Sequence, residues 1–123
     1  MGTWGFGNFE DDTAADFFSI YTSELINEIN NVIDKSEEIE PDEYEGVALP
    51  CKVEILTTLT KQKWVGCTHP DIQIVKDWCE KYLTVYDTYY IDTKDNLTYI
   101  QKRRETIQNT FDNYILAISD TIQ

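Results

Sequence analysis

The nearest approach to a nucleophile and its base in this sequence is Cys67 with His69, the only histidine. Nucleophilic catalysis needs a base within hydrogen-bond reach of the thiol and a third group that orients the base. Side chains two residues apart rarely point at each other, and Pro70 directly after the histidine indicates a loop. Carboxyl groups are abundant, but those in residues 37–45 lie among other acids and not in an apolar pocket that would raise a pKa. The sequence therefore predicts no catalytic residue and no enzyme.

Metal and cofactor sites have no better support. The three cysteines are too widely scattered for a zinc site. Asp87, Asp92 and Asp95 lack the fixed glycine and the closing glutamate of a calcium loop. The glycines of residues 2–7 follow no strand and precede no lysine, so they do not form a phosphate-binding loop. No metal and no cofactor is expected.

Charge is the strongest signal in the composition. The net charge is −13, and residues 1–45 contain 13 acidic residues and one basic residue, whereas residues 46–123 are nearly balanced. Such a field repels nucleic-acid phosphates and anionic lipids, and it speeds association with basic surfaces. The expected partner is a protein with a basic surface, and neither nucleic acid nor a membrane is expected to bind. Solubility alone would also explain the excess of acid.

Two groups of residues are candidates for contact with a protein partner. The first is the acidic segment after the first predicted helix: Glu37, Glu38, Glu40, Asp42, Glu43, Tyr44 and Glu45. The second lies at the end of an aromatic stripe formed by Trp78, Tyr82, Tyr86, Tyr89 and Tyr90. Most of this stripe is predicted to be core, but it holds more rings than one buried helix face requires. One or two of its tyrosines are therefore predicted to reach the surface, where such rings often anchor partners, and Tyr89 and Tyr90 are the candidates.

Apolar residues that recur at intervals of three and four predict four amphipathic helices and no strand longer than a few residues. The predicted helices are 13–34, 42–62, 70–90 and 96–121, within a single helical domain of residues 1–123. Short links between amphipathic helices are typical of an all-α bundle. Pro50 either kinks the second helix or opens a shorter one from about residue 49, and we expect the kink.

The first twelve residues combine glycines with large aromatic side chains. We predict a packing lid over residues 1–12, in which Trp4 and Phe9 insert into the bundle and Phe6 is a further candidate. The glycines would permit tight turns of the backbone. Asp11 or Asp12 would then cap the first helix by accepting hydrogen bonds from its free N–H groups. A ligand site under the lid is the alternative.

Cysteine usage and the start of the chain bear on location. Three cysteines, an odd number at wide spacing, do not suggest a disulfide framework: Cys51, Cys67 and Cys79. The N-terminus has acids where an export signal has a basic region followed by an apolar run. A cytoplasmic location is expected.

The opening residues MGTWGFGNFEDDTAADF resemble the start of a small bacterial family, domain of unknown function 4259, whose members begin MGxWGxGxFxNDxAxDF. The matching positions are Gly2, Trp4, Gly5, Gly7, Phe9, Asp12, Ala14, Asp16 and Phe17, and Asp11 stands where asparagine is usual. Later segments are also similar: DEYEGVALPCKVEIL, the helix of Trp78, Tyr82 and Tyr86, and KRRETIQNTFDNY. The resemblance implies a mostly helical cytoplasmic domain of unassigned activity, and it carries over no catalytic residue.

Two functional hypotheses are favoured over an enzyme. One is an immunity or antitoxin-type protein that neutralises a basic toxin, such as a nuclease, by covering its active site; small acidic proteins of this type attract their targets by charge. The other is an adaptor or a self-associating interaction module, which the surplus of aromatic residues would serve equally well. An enzyme would require a deep polar pocket that holds a desolvated acid beside Arg103 or Arg104.

Overall fold

Four helices make up the computed structural model, which describes residues 2–122. They are α1 (Asp12–Val32), α2 (Tyr44–Lys61), α3 (Ile72–Tyr89) and α4 (Leu97–Ile122). The predicted all-α fold is confirmed, and each helix begins and ends within two residues of its predicted bounds. Met1 of the predicted lid and Gln123 at the end of the predicted domain lie outside the described residues.

A short turn of backbone leads into α1. The N–H groups of Trp4 and Asp12 donate to the carbonyl oxygens of Glu10 and Gly2, at 3.0 and 2.7 Å. Asp11 is the helix cap, since its carboxylate accepts from the backbone N–H of Thr13 at 2.8 Å. The hydrogen bond from the Thr3 hydroxyl lowers the pKa of Asp11, and those from the backbone N–H groups at the cap lower it further. The opening motif is thus a capping structure for α1.

The prediction that the opening aromatic residues pack into the bundle is correct for one residue and wrong for two. Phe9 stacks on Trp64 with ring centroids 3.9 Å apart, and both rings meet the edge of buried Phe18. Trp4, in contrast, is 48% exposed, because its indole N–H donates to the Asp12 carboxylate on the surface at 2.9 Å. Phe6 is fully exposed at the tip of the turn.

The backbones of α1 and α2, of α2 and α4, and of α4 and α3 pack directly against each other. Side chains bridge α1 and α3 instead: the indole of Trp78 donates to Asn30 at 3.0 Å. Just beyond the end of α1, Asp34 pairs with Lys81 of α3 at 2.7 Å. Large rings fill the space between the helices. As predicted, most of the aromatic stripe of α3 is core, with Trp78, Tyr82 and Tyr86 each 2% exposed.

α2 runs without interruption through Pro50, so the alternative of a shorter helix that starts near residue 49 is wrong. A proline in a helix removes one N–H donor and leaves the carbonyl four residues earlier without its partner. That carbonyl belongs to Gly46, and the Tyr82 hydroxyl of α3 donates a hydrogen bond to it.

The link between α2 and α3 depends on Gly66. Its φ of +100° lies in the region that glycine adopts without strain. A Cβ at this position would also overlap the backbone carbonyl of Ala15 in α1. Nearby, the Thr68 hydroxyl meets the hydroxyl groups of Thr22 and Ser23 at 2.6 and 3.0 Å. The link is therefore fixed against the first half of α1.

Tyr114 of α4 is fully buried, and its hydroxyl has no hydrogen-bond partner within residues 2–122. Removing an unsatisfied buried polar group relieves its desolvation penalty, so Tyr114→Phe is expected to keep or raise the free energy of unfolding, by up to about 1 kcal/mol. The matched control is Tyr86→Phe, which removes a hydroxyl that donates to the Ile100 carbonyl at 2.7 Å and should cost about 1 kcal/mol. Urea denaturation of both variants measures the difference. Equal losses would mean that the Tyr114 hydroxyl is bonded in solution.

Within residues 2–122, none of the helices combines the length and the apolarity that crossing a bilayer requires.

Candidate functional site

A groove lies between the outer face of α3 and the segment that follows α1. We call it the acidic groove. It consists of two adjoining hollows, of about 360 and 530 Å³, that share Ser36, Thr84 and Val85. The side chains that line it are Ile33, Asp34, Ser36, Glu37, Glu40, Asp77, Glu80, Lys81, Thr84, Val85, Thr88 and Tyr89.

The groove exists because α1 and α3 meet through side chains and not through close helix packing. The Lys81–Asp34 pair crosses the gap at one point, and the segment after α1 turns back over α2. Ile39, which is 1% exposed, anchors this segment in the core. Beside it, the Glu40 carbonyl rests directly on the Cα of Gly46 in α2. Burial of Ile39 thus leaves the flanking acids at the surface beside α3.

The groove is strongly anionic. Five carboxylates line it, from Asp34, Glu37, Glu40, Asp77 and Glu80, and the only basic lining residue is Lys81. The ammonium of Lys81 is already engaged by Asp34, and this hydrogen bond raises its pKa. The pair leaves the other four carboxylates without a cation among the lining residues.

Tyr89 marks the end of the groove nearest to α2. Partial desolvation raises the pKa of its hydroxyl, and the negative charges of Asp42 and Glu40 raise it further. The ring is 40% exposed, so it offers an apolar face and a protonated hydroxyl to a partner. Its edge meets Tyr90 at a centroid distance of 4.8 Å.

The structure brings together four of the nine candidate partner residues. Glu37, Glu40 and Tyr89 line the acidic groove, and Asp42 lies beside Tyr89. They come from segments that are more than 40 residues apart in the sequence.

The other five candidates lie elsewhere. Glu38 faces Lys35 at 3.8 Å, and Glu45 contacts the largely buried Lys52 at 3.4 Å. Glu43 is the residue before α2, and Tyr44 projects into solvent with 79% of its surface exposed. Tyr90 is half-buried, because its ring packs against Tyr86 at 5.0 Å and against the core.

Sequence reasoning missed the contribution of α3 to the groove. Asp77, Glu80, Thr84 and Thr88 recur at helical spacing on the side opposite the aromatic stripe. That polar stripe was visible as a pattern, but a polar stripe on a surface helix is ordinary. Only its position beside residues 34–40 distinguishes it, and that position depends on the tertiary structure.

Cys67 and His69 line the same hollow, but no hydrogen bond joins their side chains within residues 2–122. The Cys67 sulfur lies 3.6 Å from the Thr60 hydroxyl, and burial raises the pKa of the thiol, which disfavours the thiolate. The two nitrogens of His69 contact the Pro70 carbonyl at 3.2 Å and the Thr121 hydroxyl at 3.4 Å. Each group is occupied by other neighbours.

Arg104 of α4 forms an ion pair with an acidic residue of α3. Its guanidinium donates two hydrogen bonds to the Asp87 carboxylate, at 2.8 and 2.9 Å, on the seam between α3 and α4. These bonds lower the pKa of Asp87. The carboxyl beside Arg104 is thus held ionised, which is the opposite of what a general acid needs.

Metal ligands are not grouped in the part of the chain that the structure describes. No cluster of three or more histidine, cysteine, aspartate or glutamate side chains there has the geometry to hold a metal ion. The carboxylates of the acidic groove are thus spread along a surface and do not converge on one point.

Comparison with known proteins identifies the family but no relative of known activity. No curated protein and no solved structure matches the chain. The model of the family described as Domain of unknown function (DUF4259) matches residues 2–117 of the 123 residues. Because this match covers nearly the whole length, the chain belongs to the DUF4259 family.

Proposed function

We propose that this protein is an immunity or antitoxin-type binding protein whose acidic groove covers a basic surface of a toxin, such as the active site of a nuclease. The observation that carries the proposal is the row of five groove carboxylates, of which only Asp34 is paired with the one lining lysine, Lys81. Enzymes that act on nucleic acids present basic surfaces to phosphates. A carboxylate row of this kind competes for such a surface by offering charge of the same sign as the substrate.

The shape of the groove supports a protein partner. It is an open trough along α3, with apolar side chains of Ile33 and Val85 beneath the carboxylates. Basic side chains have apolar stems and charged ends, so they suit a trough that is apolar below and anionic at its rim. Tyr89 adds a ring of the kind that often dominates binding energy at interfaces.

The charge of the whole chain supports rapid capture. A net charge of −13 attracts a basic protein over distances up to the screening length of the solution. Fast association is what neutralisation of a toxin requires, since the complex must form before the toxin acts.

We place the proposed activity in the cytoplasm. Cys51, Cys67 and Cys79 are free thiols, as expected in a reducing compartment. Burial raises the pKa of Cys79 to about 11, so this thiol is protected from oxidation as well as from solvent.

Charge reversal in the groove tests the proposal. The wild-type protein and the variant Glu37→Lys/Glu40→Lys/Asp42→Lys are used as baits in the native host, and the captured protein is then purified and titrated. The variant is expected to bind about tenfold more weakly or worse, because three attractive contacts become repulsive. The wild-type protein is expected to inhibit the activity of the captured partner at a one-to-one ratio.

The matched control is Glu54→Lys/Asp92→Lys/Glu105→Lys, which changes the net charge equally at exposed positions outside the groove. It should retain most of the affinity and lose only the long-range component. Equal affinity of the groove variant and the wild type would refute the groove as the binding site. A saturated partner with undiminished activity would refute the immunity function and favour an adaptor.

A further inference from the structure

The first half of α1 carries three large apolar side chains on its outward side. Phe17 and Ile20 are each 61% exposed, and Tyr21 is 44% exposed. The opposite side of the same helix already supplies the core, through Phe18, Thr22, Ile26 and Ile29. An outward helix face that meets only water is normally polar. We call this set, Phe17, Ile20 and Tyr21, the α1 ridge.

Two of the three ridge side chains already contact each other without a partner. The rings of Phe17 and Tyr21 stack at a centroid distance of 6.2 Å and an interplanar angle of 26°. At the start of the same helix, the half-exposed indole of Trp4 is fixed by its hydrogen bond to Asp12. Side chains held in this way lose little conformational freedom on binding, so most of their contact energy appears as affinity.

The surroundings of the ridge are acidic. Exposed Asp16 and Glu24 lie one helical turn before and one turn after Ile20. Residues 2–34 contain seven acidic residues and no basic residue. A second copy of this chain would place like charges against each other at the ridge, and an anionic membrane would be repelled in the same way.

We propose that the α1 ridge docks against an apolar helix face of a partner protein, and that lysine or arginine side chains form the rim of that face. The apolar ridge supplies the buried contact, and Asp16 with Glu24 supplies the charged border that selects a basic rim. The surface is separate from the acidic groove, because Asp34 follows Ile20 by 14 residues, roughly 20 Å along a helix. This proposal therefore stands without the proposed function of the groove.

The test uses a defined probe, an 18-residue amphipathic helical peptide with leucine on one face and lysine on the other. Binding to the whole chain is followed by fluorescence anisotropy, and the contact surface is mapped by changes in backbone amide NMR signals. The expected contact surface is residues 13–24. The same peptide with glutamate in place of lysine is expected to bind at least tenfold more weakly.

Two variants examine the two parts of the surface separately. Phe17→Ser/Ile20→Ser removes apolar area from the ridge. Asp16→Lys/Glu24→Lys reverses the charge of the border and leaves the ridge intact. Each variant is expected to bind the lysine peptide at least tenfold more weakly than the wild type. The matched control is Leu116→Ser on α4, where the side chain is also 61% exposed, and its affinity should stay within twofold of the wild type. Circular dichroism checks that all three proteins are folded.

Four results would overturn the proposal. The first is contact of the peptide with the acidic groove and not with residues 13–24, and the second is equal affinity for the lysine and glutamate peptides. The third is a dimer, seen by sedimentation equilibrium, that Phe17→Ser/Ile20→Ser dissociates, since a second copy would then occupy the ridge. The fourth is binding of the wild type, but not of this variant, to vesicles of phosphatidylcholine and phosphatidylglycerol.

Discussion

Replacement of Gly46 by alanine is expected to lower the free energy of unfolding by about 3 kcal/mol, although alanine is the better helix former. A Cβ at residue 46 would overlap the Glu40 carbonyl oxygen and would lie 2.7 Å from the carbon of that carbonyl and 2.8 Å from the Ile39 oxygen. These atoms belong to the backbone, so no rotation of a side chain relieves the clash. The segment of residues 39–40 has to move away from α2, or α2 has to move away from it.

Two opposing effects decide the sign of this prediction. In an exposed helix, alanine in place of glycine stabilises by about 1 kcal/mol. Gly46 is buried under the segment that connects α1 to α2, so overpacking outweighs that gain. The segment also carries Glu37 and Glu40, and its displacement should weaken any partner bound in the acidic groove.

Chemical denaturation of the wild type and Gly46→Ala measures the loss of stability. Val47→Ala is the control, because the neighbouring side chain is 53% exposed and its truncation should change stability by less than about 0.5 kcal/mol. A stability of Gly46→Ala at or above that of the wild type would mean that residues 39–40 do not rest on α2 in solution.

The helices and their core faces could be predicted from the sequence, because the apolar spacing of α1 and α3 is regular and specific. The start of α1 was also predictable, since Asp11 stands directly before the helix and its side chain reaches the free N–H groups. Local chemistry of this kind acts over a few residues, and the sequence displays it directly.

The acidic groove could not be predicted as a site, because its two walls come from distant segments. Glu37 and Glu40 lie beside Tyr89 for three reasons that only the tertiary structure supplies. Ile39 is buried, Gly46 has no side chain to hold the segment away from α2, and a gap separates α1 from α3. The outward position of Trp4 was missed for a related reason. A tryptophan in a glycine-rich opening suggests packing, but the Asp12 carboxylate satisfies its N–H at the surface.

Pro50 in α2 also depends on a distant residue, Tyr82 in α3, which donates the hydrogen bond that the proline cannot. Pro50 already deprives the buried Gly46 carbonyl of its helical donor, and the Tyr82 hydroxyl takes the place of that donor. Tyr82→Phe is therefore expected to lower the free energy of unfolding by about 2 kcal/mol, because it leaves this carbonyl without a hydrogen bond. Burial raises the pKa of Tyr82 to about 12, so the hydroxyl is a protonated donor throughout the neutral range. The dependence is therefore testable at any pH at which the protein is handled.

A double-mutant cycle isolates this dependence. In a Pro50→Ala background, residue 50 regains an N–H that donates to Gly46, and Tyr82→Phe should then cost less than about 1 kcal/mol. Tyr86→Phe is the control: its hydroxyl donates to Ile100 of α4, so its loss should be the same with proline or alanine at position 50. Equal losses for Tyr82→Phe in both backgrounds would contradict the account. A coupling of about 1 kcal/mol or more would show that α2 tolerates an internal proline because α3 supplies the missing donor.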